Sequence, residues 1–293
     1  MHYVVTVPVV LIAALLTTAV IGQAVAMTRV PPTAVGSATP SGVGLDYEDV
    51  DFVTPDGVTL SGWYVPSRNG AAVVLLHGAG STRSAVLPHA AVLAKRGLGV
   101  LLFDARGHGR SRGVAMDAGW YGDDDVRGAV SFLATRSEVD PDRIGAVGLS
   151  MGGEEAIGAL AVEPRLRAVV AEGATNRVAR DKEWLSEVYG WRGSLTETVD
   201  RLVYGAAELL TAANQPITLR EAVSRAPETP VLLIAGGSMV DETHAARYIA
   251  AGSPSSAQIW VAPGAGHVGA LATHPAEWDQ RVGEFLTTAL QAG

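Results

Sequence analysis

The chain contains no cysteine. That excludes disulfides, thiolate metal sites and a cysteine nucleophile, and it is compatible with any redox compartment. Charge is also sparse: 18% of the residues are Asp, Glu, Lys or Arg, and the net charge is −8. The 22 Lys and Arg residues are scattered and form no basic patch, so no nucleic-acid partner is expected. The sequence has no HExxH, no Walker loop and no G-x-G-x-x-G opening a βαβ unit. Metalloprotease, nucleoside-triphosphatase and dinucleotide chemistries therefore have no support. There is no internal repeat, and the 34 glycines and 15 prolines are spread along the chain, as many tight turns require.

Charge is absent altogether from Met1 to Thr28. Tyr3 to Met27 is almost wholly apolar, with Val9, Leu11, Ile12, Leu15, Leu16, Val20 and Ile21. Twenty-five helical residues at about 1.5 Å each can cross a hydrocarbon layer of roughly 30 Å. Residues 1–28 are therefore expected to be a transmembrane anchor, leaving the protein held at a membrane. A cleaved signal peptide is the alternative, because Ala24-Val25-Ala26 resembles a cleavage site; the protein would then be exported. A buried core helix is the third. Arg29 is the one nearby cation, a weak positive-inside signal. Residues 29–45, rich in Pro, Gly, Ser, Thr and Ala, read as a linker to a folded domain over 46–293.

That domain begins with two strand candidates, Tyr47–Val53 and Val58–Val65, joined by the turn Thr54-Pro55-Asp56-Gly57 as an antiparallel hairpin. Short Val/Leu/Ile runs then alternate with helix-length segments. The runs are Ala72–Leu76, Gly99–Phe103, Ile144–Gly148, Ala168–Ala171, Val231–Ala235 and Gln258–Val261. The helical segments include Ser84–Arg96, Tyr121–Thr135 and Met151–Val162. This pattern predicts an α/β fold, a mostly parallel sheet covered by helices on both faces. Working loops then lie at the carboxyl ends of the strands. The alternation breaks once, from about residue 175 to 228, where a helical insertion is expected to cap the site. Its Trp184, Tyr189, Trp191 and Tyr204 suit either an acyl pocket or the insertion's own core.

The pattern G-x-S-x-G occurs twice, at Gly148-Leu-Ser150-Met-Gly152 and at Gly109-Arg-Ser111-Arg-Gly113. Context separates the copies. A nucleophilic serine needs a sharp strand-to-helix turn that exposes its hydroxyl, with small residues on either side. Ser150 follows the strand segment Arg143-Ile-Gly-Ala-Val-Gly-Leu149 directly and precedes a helix, whose N-terminus offers N–H groups to a developing oxyanion. Ser111 has neither setting and reads as a turn residue.

The stretch Val139-Asp-Pro-Asp-Arg-Ile-Gly-Ala-Val-Gly-Leu-Ser-Met-Gly-Gly153 resembles α/β-hydrolases near the dienelactone-hydrolase, serine-aminopeptidase and prolyl-oligopeptidase groups. Leu75-Leu-His-Gly-Ala-Gly80 and Phe103-Asp-Ala-Arg-Gly-His-Gly-Arg-Ser111 resemble loops of the same superfamily. The likeness covers about residues 46 to 290. It implies a serine hydrolase acting on a small acyl substrate through an acyl-enzyme, without cofactor or metal, and it says little about which substrate.

A serine hydroxyl needs a general base. His267 follows the strand Gln258–Val261 and the flexible loop Pro263-Gly-Ala-Gly266, and the family's histidine occupies this last loop. His77 and His108 sit in glycine loops, where the resemblance implies oxyanion-loop and turn roles. The acid that orients the imidazole should lie between the serine and the histidine in chain order, at a strand's end. Asp241, beyond the strand Val231–Ala235, is the expected acid, with Glu242 and Glu172 as alternatives. Asp241 also suits a bland role in the first turn of the helix that follows. The oxyanion is expected to be held by the backbone N–H groups of Met151 and Ala79. Asp123-Asp-Asp125 reads as a solvated helix start, with the acids favoured by the helix dipole.

Ester hydrolysis is the leading expectation. Peptide or thioester cleavage and acyl transfer use the same residues. A catalytically silent, membrane-anchored binding protein on the same fold is the remaining alternative.

Overall fold

The computed structural model describes residues 3–114 and 117–291. Met1, His2, Ala115, Met116, Ala292 and Gly293 lie outside the described residues, so the part of the apolar segment that falls on Met1 and His2 does too.

Eight strands form one sheet: β1 (Glu48–Val53), β2 (Thr59–Val65), β3 (Ala72–Leu76), β4 (Gly99–Phe103), β5 (Ile144–Leu149), β6 (Leu166–Glu172), β7 (Val231–Gly236) and β8 (Ala257–Ala262). Their spatial order is β1-β2-β4-β3-β5-β6-β7-β8. β2 runs antiparallel to both β1 and β4, and every later pair is parallel. The hairpin and the strands are those expected from the apolar runs, with ends shifted by one or two residues.

The helices are α1 (Tyr3–Thr28), α2 (Leu87–Lys95), α3 (Gly122–Leu133), α4 (Met151–Ala159), α5 (Leu185–Tyr189), α6 (Trp191–Glu208), α7 (Leu219–Arg225), α8 (Val240–Ala250), α9 (Ala270–Thr273) and α10 (Pro275–Ala289). The inner strands are apolar throughout because both of their faces are covered. Val74, Leu101, Val169 and Leu233 share one core with Val130 of α3, Ile157 of α4, Val223 of α7 and Ile249 of α8. Their neighbours Val73, Leu102, Val170 and Leu232 share the other with Leu93 of α2 and Trp278, Val282 and Leu286 of α10. Side chains that alternate across a strand thus feed two cores.

α1 is long and apolar enough to cross a membrane over Val10–Thr28. Among the described side chains of α1, those of the last turns are packed: Ala24 is fully buried, and Val20 and Met27 lie with it against Val203, Tyr204 and Ala207 of α6. Residues 29–45 run along the domain. The Thr33 hydroxyl donates to the Gly80 carbonyl (2.7 Å), and the Gly36 N–H donates to Ser84 Oγ (3.0 Å).

Candidate active site

The β5–α4 turn carries Ser150. It has φ 54° and ψ −121°, a conformation a non-glycine residue holds only when its surroundings impose it. β5 ends on a ladder bond from Ser150 N–H to the Glu172 carbonyl (2.8 Å), and α4 starts at once, with Gly153 N–H on the Ser150 carbonyl (2.8 Å). The turn is this tight because Gly152 has no side chain. A Cβ there would stand 2.6 Å from the His77 carbonyl oxygen and 2.6 Å from Leu76 Cβ. The spacing of small residues in the motif therefore has a steric cause.

His267 comes from the loop between β8 and α9. Its Nε2 lies 2.9 Å from Ser150 Oγ, and its Nδ1 lies 2.6 Å from Glu242 Oε1. With the carboxylate ionised, Nδ1 carries the proton and donates to Glu242, and Nε2 accepts from the serine hydroxyl. Glu242 is buried, and its second oxygen accepts Gly236 N–H (2.8 Å), which fixes the carboxylate at the end of β7. The bond to Glu242 raises the His267 pKa above its ordinary value, against the opposing effect of partial burial. The ring stays reachable, with its side chain 44% exposed.

The partner of His267 is thus Glu242 and not the expected Asp241. Helix geometry decides between the two neighbours. Consecutive residues of a helix point about 100° apart, and in the first turn of α8 Glu242 faces inward while Asp241 faces solvent. Asp241 instead accepts the Tyr189 hydroxyl (2.5 Å). Glu172, the third candidate, is buried beneath the histidine loop. It accepts Ala270 N–H (2.8 Å) and Trp278 Nε1–H (3.1 Å), and burial raises its pKa. It props the loop that carries His267 and does not touch the imidazole ring through any hydrogen bond.

Met151 opens α4, so its N–H is one of the free donors of a helix N-terminus. Ala79 lies in the loop after β3, next to Gly78, where a Cβ would come within 3.2 Å of Ser150 Cβ. That close approach brings the loop against Ser150. The loop is clamped from three sides. Gly80 N–H donates to His108 Nε2 (3.2 Å), the Gly80 carbonyl accepts from Thr33, and His77 Nε2 accepts Ala105 N–H (3.0 Å). Burial lowers the pKa of both histidines, His77 to about 4, so they are neutral bracing groups. Thr33 escaped sequence reasoning because it sits in a Pro- and Ala-rich stretch with no motif around it.

Other residues singled out from sequence have structural roles. Ser111 Oγ donates to the Asp104 carbonyl (2.5 Å) and accepts Ser61 N–H (2.9 Å), which pins a turn. Asp125 is not solvated as expected for a helix start. It is buried and paired with Arg106 (2.7 Å), which also binds Asp56. The cap aromatics divide: Tyr204 is buried in a cluster shared with Trp120 and Ala24 of α1, and Trp184 in one shared with Ala245 of α8, whereas Tyr189 and Trp191 are exposed.

Residues 73–280 match the model of the Alpha/beta hydrolase family. An uncharacterized protein of Mycobacterium tuberculosis is 32% identical over 246 residues, covering 81% of this chain and 76% of that protein. A thiohydrolase of Aspergillus aculeatus is 38% identical over 129 residues, covering 43% of this chain and only 41% of its own length. Among solved structures, a Pyrococcus furiosus esterase superposes with a TM-score of 0.71 at 29% identity, covering 90% of this chain and 99% of the esterase.

Proposed function

Because this chain belongs to the alpha/beta hydrolase family, we propose that it is a serine hydrolase that cleaves carboxylic esters through an acyl-enzyme. The observation that carries this reading is the relay Ser150–His267–Glu242, with successive distances of 2.9 and 2.6 Å. Ser150 Oγ attacks the acyl carbon while His267 Nε2 takes its proton. Glu242 keeps the ring in the tautomer that presents a free Nε2 and stabilises the imidazolium. The N–H groups of Met151 and Ala79 hold the oxyanion. The imidazolium then protonates the departing alkoxide, and a water activated by the same nitrogen releases the acid.

Thioester cleavage is the second reading, favoured by the thiohydrolase relative. The same relay serves both, since a thiolate leaves more readily than an alkoxide. A fluorophosphonate probe tests the shared chemistry. Labelling is expected on the wild type and lost in Ser150→Ala; an unlabelled wild type would return the chain to the binding-protein alternative. A series of p-nitrophenyl acyl esters set against the matching acyl thioesters separates the two bonds.

A further inference from the structure

α6 has three sides. Val203, Tyr204 and Ala207 are buried in one cluster with Ala24 of α1, and Val199, Ala206 and Leu210 pack half-buried against that cluster. Beside it runs a third stripe, Trp191, Leu195, Leu202 and Leu209, each between 58% and 87% exposed. The spacing of four, seven and seven places these four in one line along the helix. The line continues toward the active site. The Tyr189 hydroxyl on Asp241 holds the start of α6 against the turn containing Met239 and Val240, both exposed. Glu242 follows two residues later. An apolar surface of this extent needs a partner.

The dimensions of α1 indicate which one. Its turns from Val20 to Thr28 are docked on the cap. The stretch of α1 long and apolar enough to cross a membrane, Val10–Thr28, includes those docked turns. α1 spans comfortably only when the docked turns, and α6 with them, sit at the membrane edge. The outward side of those turns is itself apolar, with Ile21 and Val25 exposed. Trp191 and Tyr189 are residue types that settle in the headgroup layer, and the Arg192 guanidinium, 5.5 Å from the Trp191 ring centre, can extend from it to lipid phosphates.

We propose that the outer stripe of α6 and the Met239–Val240 turn rest in the headgroup layer beside a membrane-inserted α1, so that the site draws acyl esters directly from the bilayer. The substrate class, an ester of a membrane-resident amphiphile, rests on the serine-hydrolase reading above; the seating on the membrane does not.

The cysteine-free chain makes a direct test simple. Single variants Leu15→Cys, Leu195→Cys and Asp142→Cys carry a bimane label in the full-length protein, in phosphatidylcholine–phosphatidylglycerol vesicles containing doxyl lipid. Asp142 lies on the approach to the N-terminal end of β5 and is the control. Strong quenching is expected at 15 and 195 and none at 142. Quenching at 15 without quenching at 195 overturns the proposal, as does absence of quenching at both. Disulfide-linked dimers through Leu195→Cys without lipid quenching would assign the stripe to a second copy. In a second arm, the double variant Leu195→Gln/Leu202→Gln should lose at least tenfold in rate on a long-chain ester presented in vesicles. Its rate on p-nitrophenyl acetate should stay within twofold of wild type. Equal loss on both substrates, or none on either, overturns the substrate claim. A wild type inert toward both esters sinks the hydrolase reading instead, and the quenching result stands apart from it.

Discussion

His267 Nδ1 and the Glu242 carboxylate stand 2.6 Å apart, and the other oxygen of that carboxylate is tied to Gly236 N–H. Its neighbour Asp241 points away to the Tyr189 hydroxyl. Glu242→Gln should therefore lower kcat by about a thousand-fold to ten-thousand-fold, because the amide no longer selects the useful tautomer. Asp241→Asn should leave kcat on a soluble ester within about threefold, the effect of an exposed hydrogen bond at most. Steady-state kinetics of the two variants, side by side, decide the assignment. Equal losses would refute it.

The pH profile of kcat/KM should follow the imidazole. Glu242 raises the His267 pKa, so the acid limb of the profile should have its midpoint above the ordinary histidine value of about 6.5. Activity falls below that midpoint because the protonated ring cannot accept from Ser150. In Glu242→Gln the residual activity should keep its acid limb at lower pH, since the charge that favoured the imidazolium is gone. An unmoved limb would mean that another group titrates.

Ser150 holds a backbone conformation suited to glycine. Relief of such strain is worth about 1–3 kcal/mol, against roughly 0.5–1 kcal/mol for the looser unfolded chain that a glycine brings. Ser150→Gly should therefore melt higher than Ser150→Ala, with both inactive. Thermal unfolding of the pair checks this, and a lower Tm for the glycine variant would show that the turn is unstrained.

His89 is buried edge-to-face with Trp278, and neither ring nitrogen has a partner among the described residues. Burial pushes its pKa to about 4. The unfolded chain binds this proton more readily than the folded one, so the associated stability is complete above about 6.5 and drains away as the pH falls toward about 4. His89→Phe should keep its Tm at neutral pH and lose less of it between pH 6.5 and 4. Parallel melting curves across that window measure the difference; curves that fall together would assign the acid sensitivity elsewhere.

Thr33 closes the clamp on Gly80, next to Ala79, the proposed oxyanion donor. Loss of a whole oxyanion donor costs about a hundred-fold to a thousand-fold in rate, and loosening one should cost about tenfold. Thr33→Val is expected to lower kcat by that amount with little change in KM, and Thr33→Ser to restore it. A rise in KM at constant kcat would make Thr33 a substrate-binding residue instead.

The strands and their order of appearance were legible because a sheet buried on both faces needs unbroken runs such as Ala72–Leu76 and Val231–Gly236. Ser150 was legible because its turn leaves room only for small neighbours. His267 was legible from its loop and from the family resemblance. Asp125 misled, since an acid in a first turn looks the same in sequence whether it meets water or Arg106. Thr33 was invisible, because its partner lies 47 positions away.

Local sequence by itself determined what depends on near neighbours: the apolar periodicity of strands and helices, the strand-to-helix switch at Ser150 and the hydrophobic length of α1. Only the tertiary structure decided which of two adjacent carboxylates meets the histidine and that Thr33 holds the Gly80 carbonyl in the loop after β3. It also decided that the last turns of α1 lie on α6. Each of these depends on the direction in which a side chain points after elements distant in the chain have packed, and a one-residue step around a helix reverses the answer.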